Sequence, residues 1–379
     1  MNILEALPVP QGEAVRGVLP RIARILDGTS PAVLPVPAAD SLETARLTDA
    51  LHPGEPIDDG IALVVATSGT TGTPKGAMLR ADALRASGEA THEHLGGPGS
   101  WLLVLPPHHI AGMQVLLRSA LAGTEPVVVD VSTGFDPAAL PAAVAAMSGP
   151  RKYTSMVPTQ LIKALSDPGA VDALASLDAV LLGGAATPAP VLEQATAAGI
   201  AVVRTYGMSE TAGGCVYDGI PLSGARIRID NGRVLLGGPM LASGYRGLPD
   251  HPAFAEPGWF RTDDAGSVVD GVLRISGRLD EAISTGGLTV VPQVVEAALA
   301  DHPAVRECAV IGISDPRLGQ RVVVCVVPEG SPPTLEELRA HAQRTLDVTA
   351  APRELVIVDT LPLRGPGKLD RAALVARFS

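Results

Sequence analysis

The sequence predicts an α/β protein: a large N-terminal domain with mostly parallel, helix-covered sheets and a β-rich subdomain, followed by a small α+β domain. Three observations lead there. Apolar strand-like runs alternate with helical patterns from residue 61 to about 205, the pattern of parallel strands joined by helical crossovers. From 215 to 277 the chain changes to short strands and turns. Beyond Gly286-Gly287 a compact mixture of helix and strand begins. With 379 residues, 46% of them apolar, the chain can build two or three cores without metal or disulfide staples.

In chain order, residues 1–60 are proline-rich, with a helical pattern near Val15 to Leu26, and read as a small, shortened N-terminal cap. Strands are expected at 61–66, 101–105, 126–131, 152–157, 178–182 and 200–205. Helices are expected between them at 110–122, 136–147, 158–166 and 188–198. In such sheets ligands sit outside the carboxyl ends of the strands. Residues 225–229 and 233–236 flank Asn231-Gly232, a hairpin turn signal. The last part reads as helix 292–300, strands 305–313 and 320–328, helix 334–345 and strand 354–358. The domains are therefore drawn at 1–279 (cap 1–60, α/β part 61–214, β-rich part 215–279) and 280–379.

Composition removes several function classes. The net charge of −11 argues against general affinity for nucleic acid or an anionic membrane. No apolar stretch approaches 18 residues, so membrane insertion is not expected. The three cysteines, Cys215, Cys308 and Cys325, are far apart and suggest neither a disulfide framework nor a zinc site. With no basic, apolar leader at Met1–Glu5, a cytoplasmic location is expected. The sequence leaves a homo-oligomer open.

The densest chemistry lies in Thr67-Ser68-Gly69-Thr70-Thr71-Gly72-Thr73-Pro74-Lys75-Gly76, directly after an apolar run. Glycines let backbone N–H groups approach an anion, hydroxyls add donors and a lysine adds a point charge. The segment suits a polyphosphate. It is not a Walker A loop, which ends in Gly-Lys-Ser/Thr. Six further clusters follow. His108-His109 stands between a strand and a helix and can orient a carboxylate. Gly183-Gly184-Ala185 closes a strand. In Tyr206-Gly207-Met208-Ser209-Glu210 a tyrosine can stack on a base and a glutamate can hold Mg²⁺ beside phosphates. Trp259 to Asp264 places paired carboxylates that can accept from ribose hydroxyls. The last two are Gly277 to Glu281 with Thr285-Gly286-Gly287, and Arg364-Gly365-Pro366-Gly367-Lys368. Taken singly, most of these have a bland alternative: a tight turn, a charged turn or a solvated loop.

In this order, over residues 61–379, the clusters resemble the adenylate-forming superfamily of acyl-CoA synthetases, luciferases and peptide-synthetase adenylation domains. The resemblance implies that Thr67, Ser68, Gly69, Thr70, Thr71, Gly72 and Lys75 hold the β- and γ-phosphates of ATP. It implies that Gly183, Gly184 and Ala185 line the adenine pocket, that Tyr206 packs on the base with Gly207 also in the ATP site, and that Ser209 and Glu210 serve the α-phosphate and Mg²⁺. Asp264, supported by Arg278, would bind the ribose, and Lys368 would bridge the attacking carboxylate and the α-phosphate. His109 matches the position beside the acyl pocket. Asp280 matches the hinge of a mobile C-terminal lid, and Thr285, Gly286 and Gly287 the coenzyme A tunnel. Asp263 stands where the family has glycine, so a different turn is expected there.

The implied activity is an AMP-forming acid–thiol ligase: a carboxylic acid is activated by ATP with Mg²⁺, then transferred to coenzyme A. The compact length, His108-His109 and the Ile283 to Thr289 segment resemble the o-succinylbenzoate–CoA ligases of menaquinone biosynthesis. Another small aromatic or short-chain acyl-CoA synthetase, and an adenylation enzyme loading a carrier protein, stay open at this point. A P-loop kinase fails on the loop, and a catalytically dead binding module is disfavoured by the presence of Lys75, Glu210, Asp264, Arg278 and Lys368.

Overall fold

The computed structural model describes residues 2–67, 74–348, 350–364 and 368–378. The chain packs into two units: Met1–Arg228 with Leu235–Arg261, and Ile229–Val234 with Thr262–Ser379.

The first unit holds two sheets that position candidate residues. One has four strands in the order Glu5–Val9, Val33–Pro37, Ile61–Thr67 and Lys75–Arg80. The first three run parallel and the last is antiparallel to its neighbour. Ile61 to Val65 are all buried, as expected for an unbroken apolar run covered on both faces. Residues 1–60 thus supply two strands to this sheet, together with the helix Leu19–Leu26, which buries Ile22, Ile25 and Leu26.

The other sheet has seven strands, in the order Ile220–Pro221, Gly213–Tyr217, Val202–Met208, Ala179–Leu182, Lys152–Met156, Ser100–Leu103, Val127–Val128. From Val202–Met208 onward the pairings are parallel, and the first two strands add antiparallel. Helices Ile110–Ala122, Leu140–Ala146, Pro158–Leu165, Pro168–Ala175 and Ala189–Ala197 alternate with the parallel strands. Leu102, Met156, Leu161, Leu174, Val180 and Leu182 form part of one buried cluster. Each such leucine stabilises the fold by roughly 1.5–3 kcal/mol.

The strand Ile61–Thr67, first in the expected alternating series, belongs to the four-stranded sheet instead. Periodicity reports burial, not the pairing partner, and a continuous apolar run fits the centre of either sheet.

In the second unit, Gly319–Pro328 pairs antiparallel with Val305–Asp315 and parallel with Glu354–Ile357. Its side chains alternate faces. Val322, Val324 and Val326 meet Val295, Leu299 and Leu338 from helices Pro292–Leu299 and Leu335–Ala342. Val323, Cys325 and Val327 meet Leu374 of the helix Arg371–Phe378. The hairpin ending in Val272–Arg278 clusters here as well. A Cβ on Gly277 would lie 2.4 Å from Val291 Cγ1, and Arg278 N donates to Gln293 Oε1 at 3.2 Å. These contacts tie residues 262–279, grouped above with the large domain, to the start of the helix Pro292–Leu299. Among the described residues no helix is long and apolar enough to cross a membrane.

Candidate active site

Parallel strands put their carboxyl ends on one edge of a sheet, and there the seven-stranded sheet gathers its unusual residues. Leu103 leads to His108 and His109; Leu182 leads to Gly183, Gly184 and Ala185; Met208 leads to Ser209 and Glu210. Gly183 is packed so tightly that a Cβ would meet Thr205 Oγ1 at 2.3 Å. Tyr206 and Gly207 lie in the strand Val202–Met208, with a register shift between them. A Cβ on Gly207 would stand 2.1 Å from the Gly213 carbonyl oxygen, so the bulge admits only glycine. Ser209 and Glu210 open a short 3₁₀ turn, and both are buried. Met208 N donates to Thr211 Oγ1 at 2.9 Å, and that hydroxyl donates to the Gly213 carbonyl at 2.7 Å. The turn is thereby braced from within.

Glu210 is 7% exposed. Its Oε1 accepts from the Tyr245 hydroxyl at 2.5 Å, and its carbonyl accepts from Ala242 N at 2.8 Å. The same segment holds the other sheet. Tyr245 bridges to Ala77, Arg246 N donates to the Gly76 carbonyl at 2.8 Å, and Met78 N donates to the Gly244 carbonyl at 3.0 Å. Lys75 Nζ lies 5.2 Å from the centre of the Tyr245 ring and 3.2 Å from His251 Nε2. Residues 242–251 therefore bring Lys75 and Glu210 to one place. Thr67 pairs with Lys75 across the ends of their strands. Ser68, Gly69, Thr70, Thr71 and Gly72 lie outside the described residues.

His109 is the residue before the helix Ile110–Ala122, with its ring 4.1 Å from that of His108. His108 Nδ1 is buried without a hydrogen-bond partner, and burial pulls the group's pKa below the usual imidazole value. Two turns along that helix sits Arg118, 3% exposed. Its Nη2 donates to the Tyr217 hydroxyl at 3.3 Å, and its guanidinium lies 5.1 Å from the Trp101 ring centre. Nε is buried without a partner. Among the described residues no carboxylate neutralises this charge, and burial holds its pKa below the ordinary arginine value. His92, which accepts from Trp101 Nε1 at 3.4 Å, is pushed down to about 4 by burial and then by the Arg118 charge.

In the second unit, Asp264 is buried, and its N–H donates to Thr262 Oγ1 at 3.0 Å. Asp263 lies within the continuous strand Trp259–Val269, not in a turn, and pairs with Arg233 at 3.1 Å. The aspartate in place of glycine is therefore accommodated as ordinary extended backbone. Arg278 approaches Asp264 at 3.5 Å but grips Asp280 through two bonds, Nε to Oδ1 at 2.8 Å and Nη2 to Oδ2 at 2.7 Å. Thr285 is buried, and Gly286 and Gly287, with φ of 60° and 82°, make the two-residue turn from Ile283–Thr285 to Leu288–Val290. Lys368 lies in a short strand paired with Leu363–Arg364.

The residues fit a metal brought by a substrate more closely than a resident one. Among the described residues no group of three His, Cys, Asp or Glu could hold an ion. One buried carboxylate, Glu210, suits Mg²⁺, which is commonly held by one or two carboxylates plus substrate phosphates.

The AMP-binding enzyme family matches residues 8–245, and the AMP-binding enzyme C-terminal domain matches residues 294–368. The chain belongs to the AMP-binding enzyme family. Within that family it is 60% identical, over 99% of both chains, to a probable 2-succinylbenzoate–CoA ligase of Mycobacterium tuberculosis. A 2-succinylbenzoate–CoA ligase of a Geobacillus species is 34% identical over 83% of this chain and 69% of its own. The o-succinylbenzoate CoA synthetase of Bacillus subtilis, solved with an acyl-adenylate intermediate, shares the fold at a TM-score of 0.76 and 24% identity, covering 98% of this chain and 88% of its own.

Tyr245, His251 and Arg118 escape the sequence reading. Tyr245 and His251 are ordinary loop residues until the strands pair. Arg118 sits inside a helical pattern, and only its burial makes it unusual. An arginine flanked by apolar residues on a helix face was the one available signal.

Proposed function

We propose that this protein is an AMP-forming ligase that joins 2-succinylbenzoate to coenzyme A through an acyl-adenylate. The observation that carries the reading is the 60% identity along the full chain to a probable 2-succinylbenzoate–CoA ligase. In the first step a substrate carboxylate oxygen attacks the α-phosphorus of ATP, and the bond to pyrophosphate breaks. Thr67 to Gly72 and Lys75 would bind the β- and γ-phosphates, Ser209 the α-phosphate, Gly183, Gly184, Ala185, Tyr206 and Gly207 the adenine, and Asp264 the ribose. Mg²⁺ held at Glu210 would offset phosphate charge. Lys368 would steady the attacking carboxylate against the α-phosphate. In the second step the thiol sulfur attacks the acyl carbon and AMP leaves, with Asp280 as hinge and Thr285-Gly286-Gly287 beside the incoming thiol. Protein groups here act by position and charge rather than by covalent chemistry.

His109 would border the acyl site. The test is thioester formation from ATP, coenzyme A and a panel of 2-succinylbenzoate, benzoate and medium-chain fatty acids. Selective turnover of 2-succinylbenzoate is expected; preference for a monocarboxylic acid would overturn the substrate assignment.

A further inference from the structure

The parallel ladder between Ser100–Leu103 and Lys152–Met156 ends with Leu103 opposite Ser155. One side chain carries the pairing further. Gln160, 8% exposed in the first turn of the helix Pro158–Leu165, accepts at Oε1 from the Val157 backbone N–H at 3.2 Å. Its Nε2 donates to the Val104 carbonyl at 2.6 Å. An amide suits both partners; a carboxylate accepts from the N–H but has nothing to give the carbonyl. Capping the helix needs only the first bond, and glutamate serves that purpose equally well. The second bond is the one that asks for glutamine, and it crosses between two strand ends on the carboxyl edge of the sheet.

Each strand end leads to a different candidate surface. Val157 stands against the glycine turn: Gly183 N donates to the Met156 carbonyl at 3.2 Å, and a Cβ on Gly184 would lie 3.4 Å from Val157 Cγ1. Val104 opens the segment that runs to His109. That segment is stiff. Pro106 and Pro107 have ring-locked φ angles. His109 N donates to the Pro106 carbonyl at 3.3 Å, and a Cβ on Gly112 would stand 2.3 Å from the same oxygen. A shift at Val104 therefore reaches His109 rather than being absorbed on the way.

We propose that Gln160 is a positioning residue for the acid: through the Val104 carbonyl it holds the His108-His109 segment in register with the Gly183-Gly184 turn. The proposal rests on the ligase reading, in which His109 borders the acyl site and the glycine turn borders the adenine.

The experiment is steady-state thioester formation by the full chain from 2-succinylbenzoate, MgATP and coenzyme A, for wild type and Gln160→Glu, at alkaline and at mildly acidic pH. Glutamate keeps the bond from Val157 and sets a carboxylate against the Val104 oxygen. At alkaline pH the KM for the acid should rise about tenfold, the scale of one lost hydrogen bond, while the KM for MgATP stays within about twofold of wild type. A carboxyl buried against a carbonyl holds its proton above the ordinary carboxylate range, and its O–H then donates to Val104. Relative to wild type at the same pH, the acid KM should therefore recover at mildly acidic pH. Gln160→Met, which cannot titrate, should raise the acid KM more than the MgATP KM at both pH values, and it decides the matter if the Glu protein does not fold. An unchanged acid KM, equal rises in the two KM values, or a Glu defect that ignores pH overturns the proposal. A wild-type chain that forms no thioester would remove the ligase reading itself; a wild-type chain that turns over while both variants match it removes this inference alone.

Discussion

The Tyr245 hydroxyl donates to Glu210 Oε1 across 2.5 Å, between residues 35 positions apart. That bond joins the turn after the last parallel strand of one sheet to the segment laid along Lys75–Arg80 of the other. Through it the candidate metal carboxylate and the candidate phosphate lysine share a support.

Tyr245→Phe keeps the ring, its packing on His251 and Phe254, and the backbone bridge. It removes the hydroxyl that donates to Glu210. Loss of a hydrogen bond to a charged group is worth about 1.5–3 kcal/mol. The Mg²⁺ concentration for half-maximal pyrophosphate exchange should rise about tenfold, on the same scale. A Mg²⁺ titration that overlays the wild-type curve would show that Tyr245 does not orient this carboxylate.

Arg118→Met removes a buried cation that lacks a carboxylate partner. Folding should not suffer, because replacing a buried charge by an apolar side chain is often neutral or stabilising. Turnover of 2-succinylbenzoate should stay near wild type, because Arg118 packs on Trp101 and Tyr217 near the amino ends of the parallel strands, away from the carboxyl-end cluster. Urea midpoints and kcat/KM are the readouts; a lowered midpoint would show that the buried cation stabilises the fold, and a large selective loss of turnover would place it at the substrate.

How much of this was legible depends on what each residue does locally. The Thr/Gly/Lys segment is legible because donors are concentrated in ten consecutive positions, as a phosphate site would need. The strand and helix series is legible because burial imposes a period, and the alternation from 100 to 208 returns as one parallel sheet. Pairing partners impose no period, so Ile61–Thr67 was placed in the wrong series and the strands within residues 1–60 were hidden under prolines. The contacts of Tyr245 and His251 form only when distant residues meet, as Lys75 and His251 do across 176 positions. Arg118 is a burial effect, and burial of one charged residue leaves no mark on hydropathy averaged along an apolar helix. The hairpin ending at Arg278 reads with the β-rich part but packs with the helix Pro292–Leu299, because Gly277 permits that close approach.

His92 gives the stability a pH dependence of known sign. Burial, reinforced by Arg118, holds its folded pKa at about 4, against 6.5 for the free side chain. Below pH 6.5 the unfolded chain takes up a proton that the folded chain refuses until about pH 4. The contribution of this group is therefore complete above pH 6.5 and is lost as pH falls through that window. Urea midpoints at high and low pH should converge for wild type and His92→Gln, which cannot charge, as the pH drops. Parallel pH slopes for the two proteins would contradict the assignment.

Lys368→Ala should separate the two half-reactions. Adenylation, measured as pyrophosphate release, should be lost by about 10²-fold or more, as for removal of one transition-state charge donor. Thioester formation from supplied acyl-adenylate should persist, since the thiol step does not need that ammonium. Equal loss in both assays would deny Lys368 its role.

The most direct measurement is acid-dependent exchange of labelled pyrophosphate into ATP with Mg²⁺ and 2-succinylbenzoate, before any coenzyme A is added. The account predicts rapid exchange that requires the acid and ends when Glu210 is replaced by Gln. Folded protein that exchanges no label with 2-succinylbenzoate or any other carboxylic acid would contradict it.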